Sequence, residues 1–412
     1  MKRIGKTVLF VIILLIYIAI VCFGVMAVIS KDESATIQIV QKQCILKAMM
    51  NQECERTLLV EQTRKWCEEQ LQQERKINAY IDEAMEKLSI EQKLAQMMIL
   101  TNEHDIHSAN LQTYQPAGVI FFEVDFRGKT IDEVKNRVNM LQSFVEIPLL
   151  VGVDEEGGAV SRLKTLKEEG MPKFASARQL TEQGGDAIAQ DTLQKMSYLK
   201  RIGINLNFAP VADVVDQKNS YMYERAPSGD ADEAADYVES VINVMEKEGV
   251  LSCVKHFPGY GNNVNTHDGF AHDNRPLTQY EARDFVPFQR GVEKGVDMVM
   301  VSHIVMEAVD GMHPASLSVP VHEILRNNMQ YDGVIIADDL NMQAILKTMT
   351  MREASAKALL AGNDMIFSAD FSVSMQGALE AYRKGELTEE QINESVRRVL
   401  RMKIKNGIIE IH

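Results

Sequence analysis

Basic charge is in short supply in this chain of 412 residues: 44 Lys and Arg stand against 58 Asp and Glu, a net charge of −14. Phosphate backbones are bound by a cationic face. Nucleic acid is therefore excluded as a partner, and a neutral or weakly charged substrate is favoured. Cysteine is scarce as well. Five in a chain of this length make neither a disulfide scaffold nor a zinc site. The histidines are not spaced as ligand sets, so no metal is expected. Gly157-Gly158 alone matches neither nucleotide fingerprint, and no cofactor is implied. The ten prolines are scattered, which leaves no low-complexity linker.

What is present is core-forming material, with 46% hydrophobic and 25% charged residues. The length suits one large barrel-sized domain with extra segments, or two medium domains. Residues Val8 to Ser30 carry no charge, and a bilayer core needs roughly 20 apolar residues. The length of this run favours a membrane anchor over a cleaved signal. Lys2, Arg3 and Lys6 precede it, so residues 1–30 are expected to be a cytoplasmic stub and a single transmembrane helix, with everything after Ser30 outside the cell membrane. Cys22 falls in the span, while Cys44, Cys54 and Cys67 would be exported together. Three is an odd number, so in an oxidising compartment at least one is free or pairs with another chain. Cys253 reads as a small buried thiol.

From Glu33 to Leu88 the chain has neither Gly nor Pro and is rich in Gln, Glu, Lys and Arg, so 31–88 is expected to be a helical stalk. Its apolar spacing holds no heptad, which favours a solvated spacer over a coiled-coil dimer and leaves the oligomeric state open. Ser89 followed by Glu91-Gln92 resembles a helix N-cap and opens a domain spanning 89–412. In that domain short apolar runs alternate with helical stretches. The strand candidates are Gly118 to Phe122, Leu149 to Val153, Ile204 to Ala209, Leu251 to Lys255, Met298 to Ser302, Gly333 to Ala337 and Asp364 to Phe367. Such runs indicate βα units around a parallel sheet. Several end in polar clusters: Asp154-Glu155-Glu156, Asp213, Lys255-His256, His303 and Asp338-Asp339. Functional groups at many strand ends favour a (β/α)8 barrel of the TIM type, since a doubly wound sheet concentrates its site at one switch point.

Lys255-His256-Phe257-Pro258-Gly259-Tyr260-Gly261, followed by Asn265-Thr266-His267, resembles the family 3 glycoside hydrolases, and within them the bacterial β-N-acetylglucosaminidases. The likeness extends from about Leu88 to Met402. It takes in Val153-Asp154-Glu155-Glu156-Gly157-Gly158, Asn207-Phe208-Ala209-Pro210, His313-Pro314-Ala315-Ser316, Gly333 to Leu340 and the stretch Glu394 to Lys403. The resemblance implies a retaining exo-enzyme that removes terminal β-linked N-acetylglucosamine, with cell-wall fragments as a substrate suited to an exported enzyme. Retention requires a carboxylate nucleophile and an acid that protonates the leaving oxygen.

By that resemblance Asp338 is the nucleophile, with Asp339 the better helix cap, and His267 is the acid/base. An imidazole can give and take a proton near neutral pH, and Gly259 and Gly261 are expected to leave the loop free to move. Sugar-binding residues implied by the resemblance are Asp154, Arg162, Arg225, Lys255 and His256. One position departs from the pattern. Asn265 stands where the family has an aspartate supporting the histidine, and a neutral amide stabilises an imidazolium less well. Reduced turnover is expected unless Asp268 or Asp273 supplies the charge. Asn265, with Ala337 where the family usually has Ser or Thr, also motivates an alternative: a catalytically weakened sugar-binding module on a membrane stalk. A variant that transfers the glycosyl group to phosphate or another sugar would share the same intermediate.

Overall fold

The computed structural model describes residues 56–101, 104–261 and 271–411. The chain divides into two compact units, one reaching Glu83 and the other running from Ala84 to Glu410. In the first lies most of α1 (Arg56–Lys87), one helix of 32 residues. The run from Val8 to Ser30, and with it the expected membrane anchor, lies outside the described residues. Among the described residues no helix is long and apolar enough to cross a membrane. Cys44 and Cys54 also lie outside the described residues. Cys67 is disulfide-bonded, and Cys253 is a buried free thiol.

In the second unit, α2 (Ile90–Ala95) opens with the cap legible in the sequence. Ser89 Oγ accepts from the Gln92 N–H at 3.2 Å, and Gln92 Oε1 accepts from the Ser89 N–H at 3.1 Å. Ten strands follow: β1 (Met98–Leu100), β2 (Gly118–Phe121), β3 (Leu150–Val153), β4 (Leu206–Asn207), β5 (Leu251–Phe257), β6 (Ala271–Asp273), β7 (Met298–Val301), β8 (Ile304–Met306), β9 (Val334–Ala337) and β10 (Ile366–Ser368). Eight pair in parallel in the order β10-β1-β2-β3-β4-β5-β7-β9. The two ends of that order meet through one parallel bridge, Ile336 to Met365. The result is an α/β fold with a nearly closed eight-stranded parallel barrel, as the strand pattern indicated.

Each barrel strand is followed by helix. α3 (Ile131–Gln142), α4 (Gly185–Ile202), α5 (Ala231–Glu248), α6 (Phe285–Glu293), α7 (Met351–Ala361), α8 (Phe371–Arg383) and α9 (Glu389–Lys405) are the longer ones. In α5 the buried Ala234, Val238, Val241, Ile242 and Met245 recur at helical spacing and make one apolar stripe. The strands carry no such alternation. Every residue of β2, β3, β7 and β9 is buried, because a parallel barrel is covered on both faces. Leu150, Leu206, Phe208, Cys253, Met300, Ile336 and Phe367 belong to one core cluster, with the Phe208 and Phe367 rings edge-on at 5.1 Å.

Two departures from the sequence pattern have clear causes. The run from Ile204 to Ala209 shrinks to the two residues of β4, because side chains replace backbone rungs on its β3 side. Asn205 Oδ1 accepts from the Val151 N–H at 2.8 Å, and Asn207 Oδ1 accepts from the Glu155 N–H at 2.9 Å. β1 was not among the strand candidates, which begin at Gly118. The helix stops at Ala95, and Met98–Leu100 then joins β10 and β2 in the ring.

At the N-terminal end of the barrel Lys403 is fully buried, and its Nζ donates to Gln96 Oε1 at 3.3 Å. Burial in apolar surroundings pulls this amine down to about 7. The unfolded chain, with a lysine pKa of about 10.4, binds more protons between those limits, so this residue makes stability rise with pH from about 7 to about 10. Lys403→Met is expected to raise the unfolding temperature at pH 7. It should also remove a slope of about 1.4 kcal/mol per pH unit in that window. Denaturant unfolding at pH 7, 8 and 9 checks this, and parallel wild-type and variant curves would refute it.

Candidate active site

Parallel strands deliver all their C-terminal ends to one face of a barrel, and the ionisable groups gather there. At the end of β5 the ladder to β7 shifts register between Val254 and Phe257. Such an irregularity re-aims side chains, and here both Lys255 and His256 bond to groups of the mouth. The Lys255 ammonium lies 2.6 Å from Asp154 Oδ1 and 2.8 Å from Glu156 Oε1, both carried by the loop after β3. Burial works against its charge, but Asp154 and Glu156 outweigh that and hold its pKa above the ordinary lysine value. Glu156 also receives a two-pronged bond from Arg225, Nε at 2.9 Å and Nη2 at 2.8 Å. Burial opposes ionisation of this carboxyl too, yet Arg225 and Lys255 keep it well below the usual carboxylate range.

His256 is oriented by Asp213, which follows β4. Its Nδ1 lies 2.8 Å from Asp213 Oδ2, while Asp213 Oδ1 accepts from the Tyr260 N–H at 2.7 Å. A carboxylate only accepts, so Nδ1 carries the proton. Nε2 is then the acceptor facing Arg225 Nη2 at 3.4 Å. Arg162 stands at the edge of the group, with Nη2 3.8 Å from Asp154 Oδ2. Its buried Nε has no hydrogen-bond partner among the described residues.

Asp338 follows β9, its N–H donating to the Val301 carbonyl of β7 at 2.9 Å. Burial raises the cost of its charge, but His303, His256, the Asp339 amide and Lys255 together leave its pKa below the ordinary aspartate value. The buried His303 places Nε2 2.9 Å from the Asp339 carbonyl and Nδ1 2.7 Å from Ser316 Oγ. A carbonyl only accepts, so Nε2 bears a hydrogen, while Nδ1 meets a hydroxyl that can donate or accept. Asp339 does not cap a helix; its Oδ1 accepts from the Asn341 N–H at 2.9 Å and holds the turn after Asp338.

The six described residues named from the sequence, Asp154, Arg162, Arg225, Lys255, His256 and Asp338, therefore share one mouth, linked by bonds or by their fields. Asn265, His267 and Asp268 lie outside the described residues. Asp273, offered as a source of negative charge, accepts from Arg275 Nε and Nη2 at 2.7 to 3.0 Å. The roles of Glu156, Asp213 and His303 were not assigned from sequence, although each stands at a strand end. Gly259 and Gly261 also have a local reason to be glycine. Both have positive φ, 108° and 53°. A Cβ would stand 2.9 Å from Asp284 Cβ at Gly259 and 2.8 Å from Arg275 Nη2 at Gly261. Close packing, more than freedom to move, requires glycine there. Among the described residues no set of His, Cys, Asp or Glu could hold a metal ion.

Comparison with known proteins decides the family. The glycosyl hydrolase family 3 N terminal domain matches residues 89–402. The chain belongs to glycoside hydrolase family 3. Among curated relatives of this family 3 chain, the β-hexosaminidase of Xanthomonas euvesicatoria pv. vesicatoria is 34% identical over 243 residues, which are 57% of this chain and 70% of that protein. The β-hexosaminidase of Idiomarina loihiensis is 29% identical over 300 residues, 71% of this chain and 87% of that one. Among solved structures, a family 3 β-N-acetylglucosaminidase from Paenibacillus sp. str. FPU-7 superimposes with a TM-score of 0.73 at 27% identity, covering 78% of this chain and 63% of that one. This family 3 chain thus spans under two thirds of the Paenibacillus protein.

The ion cluster is expected to be strongly coupled, because removing one member strands its partner's buried charge. Glu156→Gln should cost about 3 kcal/mol of stability. The double variant Glu156→Gln with Arg225→Met should lose clearly less than the sum of the two single losses. Urea unfolding of the four proteins measures the coupling, and simple additivity would show that the pair has none.

Proposed function

We propose that this glycoside hydrolase is a retaining exo-β-N-acetylglucosaminidase, with Asp338 as nucleophile and His267 as acid/base. Family 3 membership and the β-hexosaminidase relatives support action on β-linked N-acetylhexosaminides. The observation that carries the mechanism is Asp338, a carboxylate at the end of a barrel strand whose neighbours favour its charged form. In the first step its oxygen attacks the anomeric carbon while His267 protonates the departing glycosidic oxygen. A glycosyl ester on Asp338 results. His267 then takes a proton from water, the water attacks the same carbon from the vacated side, and the sugar leaves with its configuration retained.

Sugar hydroxyls are held by Asp154, Arg162, Arg225, Lys255 and His256 in this reading. Asp154 accepts and the cations donate. We assign the substrate to terminal non-reducing N-acetylglucosamine on cell-wall fragments, reached from outside a membrane in which residues 1–30 anchor the chain. The uncharged run from Val8 to Ser30 supports that location.

Full-length protein should release N-acetylglucosamine from an aryl β-glycoside, with the β-anomer appearing first by NMR. Asp338→Ala should lower kcat about a thousand-fold or more. Asn265→Asp should raise kcat, by restoring an anion beside the histidine. Sugar binding without turnover in both wild type and Asn265→Asp would favour the binding-module reading, and a phosphate-dependent product would point to phosphorolysis. As a separate test, the protein should stay with membranes through a high-salt wash and its 89–412 region should be cut by protease added outside intact cells. Release by salt, or protection from the protease, would overturn the location.

A further inference from the structure

The loop after β3 carries three charged groups of the mouth, Asp154, Glu156 and Arg162, and they are not equally secured. Asp154 and Glu156 both lie within hydrogen-bonding distance of Lys255, and Glu156 also bonds to Arg225. Arg162 sits on the returning limb of the loop. Its guanidinium stands 3.8 Å from Asp154, beyond the ordinary hydrogen-bond length, so its place depends on where its backbone is held. Glu155 holds it. The Glu155 side chain is wholly buried, and its Oε2 accepts from the Arg162 N–H at 2.7 Å and from the Leu163 N–H at 3.0 Å. One oxygen thereby joins the limb that leaves β3 to the limb that returns.

Both ends of this clip are anchored. The Glu155 N–H donates to Asn207 Oδ1 at 2.9 Å and its carbonyl accepts from Asn207 Nδ2 at 3.1 Å, so both backbone groups of the residue are pinned to β4. At the far end the Arg162 carbonyl accepts from Thr165 Oγ1 at 2.7 Å and from the Thr165 N–H at 3.0 Å. The buried Lys195 steadies the neighbouring residue: its Nζ donates to the Glu156 carbonyl at 3.2 Å and lies 2.9 Å from Asp191 Oδ2. Burial pushes the Glu155 carboxyl above the ordinary glutamate value, with Ser161, the two amides and Lys195 opposing it. A glutamine has the shape of the uncharged acid and keeps an oxygen for the two amides.

We propose that Glu155 is a positioning residue for sugar binding: by holding the Arg162 and Leu163 amides it sets the Arg162 guanidinium beside Asp154, so that the two meet one sugar as a matched donor and acceptor. This rests on the reading of Arg162 as a sugar contact and requires no turnover. Without the clip both amides lose their acceptor, the returning limb shifts to satisfy them, and the donor leaves its place. A limb already fixed spares the binding step that ordering cost.

The test is the dissociation constant of the full chain for N-acetylglucosamine, measured by NMR titration. Arg162→Met should weaken binding about tenfold or more, and Glu155→Met should approach the same loss. On the Arg162→Met background, Glu155→Met should add about twofold or less, because the contact it serves is already gone. Glu155→Gln should bind within about threefold of wild type, since it keeps the acceptor. If Glu155→Met fails to fold by thermal unfolding, Glu155→Asp takes its place: it retains the charge beside Lys195 but withdraws the carboxylate from the two amides, and it should bind as weakly. Unchanged binding in Glu155→Met, a loss that multiplies with that of Arg162→Met, or a Glu155→Gln protein as weak as Glu155→Met would each overturn the proposal and leave Arg162 as a sugar contact. Unchanged binding in Arg162→Met would instead remove that contact, and this inference with it.

Discussion

An ammonium group buried at the mouth of an apolar barrel cannot stand alone, and the arrangement of the site follows from that constraint. Desolvating Lys255 is tolerable only because Asp154 and Glu156 lie within hydrogen-bonding distance. Glu156, buried in turn, requires Arg225, and Arg225 faces the ring of His256, which Asp213 holds from its other side. Each charge is acceptable only in the presence of the next. Loops after β3, β4 and β5 are therefore drawn together before any ligand arrives. A sugar meets donors and acceptors already in place, so little ordering cost falls on the binding step.

Two further carboxylates at the ends of β6 and β9 are fixed by different means. Asp338 stands on a barrel strand, its amide in the ladder to β7, and its position is as rigid as the sheet. Asp273 is held by its strand and by a side chain together, through β6 against β8 and through the Arg275 fork. Asp338 is thus positioned by the sheet itself, and Asp273 by a polar anchor in addition to its strand.

Much of this was legible in the sequence, and the part that was not has identifiable physics behind it. Continuous apolar runs ending in Asp154, Lys255-His256 and Asp338 gave both the barrel and the mouth, because a strand covered on both faces has no other pattern. Strand length was not legible at β4, where Asn205 and Asn207 side chains supply the rungs and no periodicity records it. β1 was hidden because three apolar residues directly after a helix look like more helix. Glu156 and Asp213 could be seen at strand ends, but their roles depend on partners distant in sequence, Arg225 and Tyr260 among them. Gly259 and Gly261 were read as freedom, and only the packing of Asp284 and Arg275 against them gives the reason for glycine. The fork that Arg275 makes to Asp273 was visible only in three dimensions.

The barrel seam has a consequence for how the molecule comes into being. β9, which leads into Asp338, has β7 on one side, but on the other only the bridge from Ile336 to Met365. β10 beyond it pairs with β1, the first strand of the ring. During synthesis every residue of the charged cluster at the mouth, from Asp154 to Asp338, leaves the ribosome ahead of the strand that completes the circle. A nascent chain halted before Met365 presents β1 and β9 as open edges, ready to pair with a neighbouring chain. Prompt arrival of β10 is therefore what protects this fold from its own unfinished form.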